Sequence, residues 1–116
     1  MPYNRGQIVL VLFPDSNLRS AKRRPALVVQ ADNLTTGLPQ TIVAMITSNL
    51  SRAGHPSRVL IQIATEEGQQ TGLLHDSVIM TDNLVTVLEI EIDGVIGVWS
   101  DMSSVDVALA HTFGLA

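Results

Sequence analysis

Arg19, Lys22, Arg23 and Arg24 crowd four of the chain's seven basic residues into six consecutive positions, immediately before Pro25. A guanidinium presents a planar fork of donors that matches the oxygens of a phosphate. Arg24 directly precedes Pro25 and the apolar run 26–29, which pins it to a rigid edge, whereas Arg19 and Lys22 sit further out on a polar loop. A charge that serves only solubility needs no such anchoring. Thr47 and Ser48 close another apolar run and place two hydroxyls at its end, with Asn49 and Arg52 adding donors just beyond. Alone, such a pair bonds its own backbone in a turn. Beside these donors it can also hold a phosphate. Asp82-Asn83 reads as a turn between two short strands, or as a carboxylate and an amide able to read a base edge. His55 and His75 read as loop residues, and His111 as a helix residue off the apolar stripe, rather than as acid–base groups.

Composition narrows the classes of chemistry. The absence of cysteine excludes disulfide scaffolds, Cys-ligated zinc and thiol nucleophiles. The three histidines are too far apart to put two metal ligands on one helix face, so neither a metal nor a cofactor is expected. The longest unbroken apolar run, at positions 8–13, is too short to cross a bilayer or to act as a signal peptide. A cytoplasmic protein without a membrane partner is expected. The formal charge of −4 averages two unlike halves: residues 1–58 carry all seven bases and two acids, and residues 59–116 carry nine acids and no base. A phosphate within a Debye length of the basic cluster feels the local field, not the mean. The acidic half is expected to lie away from such a ligand.

These residues need a frame to hold them. At 116 residues the chain fits one domain, 1–116, and with 46% apolar but only 3% aromatic residues its core must be aliphatic. Tyr3, Phe13, Trp99 and Phe113 are the aromatic exceptions, with Trp99 and Phe113 expected in the core. Apolar and β-branched runs predict strands at 7–13, 26–30 opened by Pro25, 40–47, 58–63, 77–81, 84–88 and 95–99, the last after an Asp93-Gly94 turn. Val105, Ala108, Leu109, Thr112 and Phe113 then switch to helical spacing, with Ser103 and Asp106 as a capping box and Gly114 as the stop. The expected fold is mainly β (α+β): six to seven short strands in a small curled, barrel-like sheet with one C-terminal helix packed on it. If the strands before loops 14–24 and 48–57 are neighbours running the same way, both basic loops meet at one end of it.

In this order the motifs resemble the MazF/PemK toxins, endoribonucleases of type II toxin–antitoxin systems. Arg5-Gly-Gln-Ile-Val9 looks like that family's opening strand, Lys22-Arg-Arg-Pro-Ala-Leu-Val-Val29 its Arg-Pro signature, and Ala44-Met-Ile-Thr-Ser48 its Thr-Ser element. Pro56-Ser-Arg-Val59 and Asp76-Ser-Val-Ile79, with Asp82-Asn83, are similar to its later segments. The resemblance implies an SH3-like barrel and metal-independent cleavage of single-stranded RNA, with Arg24 and Thr47 as the catalytic pair and Asp82 as a secondary candidate. Arg19, Lys22, Arg23, Ser48, Asn49, Arg52 and Asn83 would then bind the substrate. It further implies a homodimer whose groove is blocked by the acidic tail of a cognate antitoxin. The first loop lacks the Gln-Gly version of some members, and Gln7 replaces the usual acid, so no RNA sequence preference carries over. Two rivals are a gyrase-poisoning toxin of the CcdB type on the same barrel, and a non-catalytic RNA-binding module. Phe113-Gly-Leu-Ala116 lacks the tryptophan on which the CcdB type relies.

Overall fold

In the computed structural model, residues 3–14 and 21–115 are described. Six strands, β1 (Gln7–Pro14), β2 (Ala21–Val28), β3 (Gln40–Thr47), β4 (Arg58–Ile61), β5 (Ser77–Leu88) and β6 (Ile92–Val98), form one sheet in the order β4-β5-β3-β2-β1-β6. Every neighbouring pair is antiparallel. A single helical turn, α1 (Glu66–Gln69), precedes β5, and the helix α2 (Met102–Phe113) ends the chain against β4 and β5.

Both faces of this sheet are covered, which explains why its strands read as unbroken apolar runs rather than alternating ones. Side chains alternate between faces along a strand. Ile8, Leu27, Ala44, Ile46 and Ile79 pack beneath Trp99, Val105 and Ala108, the last two from α2. Val9, Val11, Ala26, Val28, Val43, Met45 and Val87 cluster on the opposite face together with Ile92 of β6. Asp101, not Ser103, caps α2 by accepting from the Ser104 amide, and Gly114 stops it in the left-handed region at φ 70°. Trp99 is core as expected, but Phe113 is 60% exposed because the last turn of α2 carries it to the surface.

Three local expectations give way to longer-range pairing. The predicted strands 77–81 and 84–88 are one strand, β5, because the unbroken β3 pairs along all of it. Ala44 pairs with Leu84 and the next residue, Met45, with Met80, so residues 81–83 bulge out and Asp82-Asn83 is not a turn. Asp93-Gly94 likewise lies inside β6, where Val11 pairs with Ile92 and Leu10 with Gly94, leaving Asp93 as the extra residue of a bulge. Pro25 does not open β2 but sits within it, opposite Leu10.

The position of Pro25 shapes the sheet. Successive residues of a strand direct their backbone groups to opposite neighbours. The Val28 carbonyl accepts from Gly6 near β1, and the Val29 amide donates to Ile42 of β3, so Leu27 and Pro25 face β3. Proline has no N–H to give. The β2–β3 ladder stops at Ala26–Met45, while β2 continues with β1 as far as Ala21. Beyond that point the two strands part. Replacing Pro25 with Ala should let the ladder extend by one bond to the Ile46 carbonyl. Hydrogen exchange is expected to find the new amide at position 25 protected like that of Leu27. Exchange at the rate of an exposed loop would show that proline does not hold the strands apart.

Candidate functional site

Where β2 and β3 part, a cleft of about 1020 Å³ opens between them, walled by the loop before β5 and by the middle of β5. Two residues beyond the last pair, Ala26–Met45, the same register sets Arg24 opposite Thr47. Alternation puts both on the face of Ala26, Val28, Val43 and Met45, and both line the cleft. Arg24 is therefore held inside a strand, with Val11 of β1 as its partner, rather than on a loop before one. Its exposed guanidinium projects from a backbone fixed on the β1 side.

The turn after β3 orders the second half of the site. The Thr47 hydroxyl accepts from the Asn49 amide at 3.1 Å, which leaves its own hydrogen to be given to an outside acceptor. Asn49 Oδ1 accepts from the amide and the hydroxyl of Ser51, at 3.2 and 2.7 Å, and caps the short turn Leu50–Arg52. The turn reading and the phosphate reading of these residues are thus compatible: the local bonds aim the hydroxyl. Ser48, Asn49 and Arg52 all line the cleft.

The other expected residues are distributed unevenly. Arg23 lines the cleft but is paired with Asp93 at 2.5 Å. Lys22 is exposed on β2 outside it, and Arg19 lies outside the described residues. Asn83 lines the cleft, but its neighbour Asp82 does not. The bulge turns Asp82 to Arg58, whose Nη2 and Nε donate to its two carboxylate oxygens at 2.8 and 3.4 Å. That hydrogen bonding holds the Asp82 carboxyl below the usual carboxylate range and raises Arg58. A weakly basic carboxylate committed to an arginine is poorly placed to take a proton from a substrate. The acidic half of the chain does wall the cleft, through loop 72–75 and β5, yet none of its described carboxylates lines it. His75, which the sequence reads as a loop residue rather than an acid–base group, is an exposed residue of that wall. Only its place in the cleft lining marks it, and nothing in its neighbours along the chain does.

The comparisons with known proteins agree with this architecture. The profile of the PemK-like, MazF-like toxins of type II toxin–antitoxin systems matches residues 4–113. The chain belongs to that toxin family. Endoribonuclease MazF6 of Mycobacterium tuberculosis is 36% identical to the toxin over 87 residues, 74% of this chain and 72% of that protein. Among solved structures, a mycobacterial endoribonuclease in complex with its cognate antitoxin superposes with a TM-score of 0.74 at 20% identity, covering 98% of this chain and 97% of that one. A chain of a MazE–MazF structure from Deinococcus radiodurans gives 0.74 at 17% identity over the whole of both chains. These two share the toxin's fold. No described helix is long and apolar enough to cross a membrane.

Because its carboxyl titrates lower when folded, Asp82 adds stability that is present above the ordinary carboxylate pKa of about 4 and is lost as pH falls through the folded value. Asp82→Asn should therefore destabilise the toxin at pH 7 in urea unfolding, and the difference from wild type should shrink steadily below about pH 4. A difference independent of pH would show that the ion pair is not its source.

Proposed function

We propose that the toxin is a metal-independent endoribonuclease acting on single-stranded RNA, with mRNA as its target. The substrate supplies the nucleophile: its 2′-oxygen attacks the adjacent phosphorus, and the bond to the 5′-oxygen breaks. The products are a 2′,3′-cyclic phosphate and a 5′-hydroxyl end. The observation that carries this reading is that Arg24 of β2 and Thr47 of β3 both line the cleft just beyond the end of the β2–β3 ladder. Arg24 stabilises the extra negative charge on the phosphorane, and the aimed Thr47 hydroxyl orients the phosphate. A guanidinium does not give up its proton near neutral pH, so Arg24 serves as an electrostatic group rather than as a base. Ser48, Asn49, Arg52 and Asn83 line the path of the flanking nucleotides.

The same cleft suits the other partner we assign to the toxin, an acidic segment of a cognate antitoxin. Three guanidinium groups and no described carboxylate line it, so a carboxylate-rich peptide meets the same complementary field as RNA and excludes it. We also assign a homodimer and a cytoplasmic site of action, in keeping with the family.

Cleavage of a mixed-sequence RNA in EDTA, with product ends mapped, tests the reading. Wild type should yield 5′-hydroxyl ends, and Arg24→Ala should be slower by about 10²–10³-fold. Thr47→Ala should lose a comparable factor, while gyrase supercoiling stays unaffected by the wild-type toxin. Wild-type rates in Arg24→Ala, or complete loss of activity in EDTA, would overturn it. Binding of a short non-cleavable RNA should weaken with salt at a log–log slope of about −1.4, as two phosphates neutralised by Arg24 and Arg52 on a single strand require, with Arg23 held by Asp93. A slope near zero would remove the cleft's arginines from the binding surface.

A further inference from the structure

We infer that His75 donates the proton to the departing 5′-oxygen during cleavage, an inference that rests on the endoribonuclease reading above. An alkoxide is a poor leaving group, so breaking the bond between phosphorus and the 5′-oxygen requires a proton at that oxygen. The cleft offers few sources. Its described ionisable side chains are Arg23, Arg24, Arg52 and His75. Guanidinium groups hold their protons too tightly, whereas imidazole exchanges one near neutral pH. Asp82 lies outside the cleft and is held by Arg58.

Geometry also favours His75. The ring is exposed and makes no hydrogen bond among the described residues, but the backbone that bears it is fixed. The buried Thr71 hydroxyl donates to the Gly68 carbonyl at 2.6 Å and accepts from the Leu73 amide at 3.2 Å. Gly72, at φ 73°, lies so close to the Ile96 carbonyl that any side chain there would collide with it. The Ser77 hydroxyl donates to the His75 carbonyl at 2.8 Å, and Asp76 accepts from the Ile63 amide at 2.9 Å. An acid on a fixed mount and with an uncommitted ring is what proton transfer to a bound substrate needs. His55 differs: its Nδ1 accepts from the Ser57 amide, and its ring packs edge-on against His111.

In the step itself, the 2′-oxygen forms its bond to phosphorus and releases its proton to water. The bond to the 5′-oxygen breaks as the His75 imidazolium gives up its proton to it, and solvent then reprotonates the ring. No electron is gained or lost overall.

Single-turnover cleavage of two substrates tests this: an ordinary oligoribonucleotide and the same strand with sulfur in place of the scissile 5′-oxygen, a leaving group that needs no proton. His75→Ala should cleave the ordinary strand about 10²–10³-fold more slowly, yet cleave the sulfur-bridged strand within about threefold of wild type. Its affinity for a non-cleavable 2′-deoxy strand should be unchanged, and its rate should lose the wild-type decline at high pH. Arg24→Ala should be slow on both substrates. Equal impairment of His75→Ala on both strands, a matching loss of affinity, or an unaltered pH profile would overturn the assignment and leave the endoribonuclease reading standing. A wild-type toxin that cleaves neither strand would overturn both.

Discussion

One hydrogen bond that cannot form governs the site. Pro25 occupies the position in β2 whose amide would bond to Ile46, and the ladder between β2 and β3 ends at the preceding pair. Ordinarily proline in a sheet interior is a defect. Here β2 keeps its pairing with β1 on the other side as far as Ala21, while its ladder with β3 ends at Ala26–Met45. Arg24 and Thr47 inherit the register of the closed part of the sheet without being tied to each other. Antiparallel pairing thus determines which residues confront one another, and the cleft opens where the ladder ends.

The split of charge along the chain also has a structural outcome. Each described ion pair joins a base of the first half to an acid of the second: Arg5 to Asp106, Arg23 to Asp93 and Arg58 to Asp82. Two of those acids, Asp82 and Asp93, sit in bulges of β5 and β6, where an extra residue turns a side chain away from the regular pleat. The pairs are partly exposed and individually contribute little. Arg58 holds Asp82 outside the cleft, and Arg24 and Arg52 face it without an opposing carboxylate among the described residues.

Most of the fold could be read from the chain because its strands are buried on both faces and bounded by turn formers. The extents of β1 and β3, and the stop at Gly114, follow from such local signals. Asp82-Asn83 and Asp93-Gly94 could not be read correctly, since a polar pair between apolar runs looks alike in a turn and in a bulge. The partner strand decides between them, and it is distant in sequence. The same limit applies to the site. Arg24 and Thr47 were visible at the ends of apolar runs, but His75 shares no local pattern with them and reaches the cleft only through the pairing of β3 with β5. The ion pair that occupies Asp82 was hidden for the same reason.

The anchoring of the loop before β5 bears on how the protein can change. Thr71 and Gly72 are held by contacts that tolerate almost no alteration: one is fully buried, and the other lies against a carbonyl. Leu74 and His75, one and two positions further on from Leu73, are exposed and line the cleft. Mutations at those two positions can therefore alter the size, polarity or proton chemistry of the wall without disturbing the sheet that carries Arg24 and Thr47. Relatives that share this backbone can differ in the shape and polarity of the cleft through a few exposed side chains, with the fold unchanged.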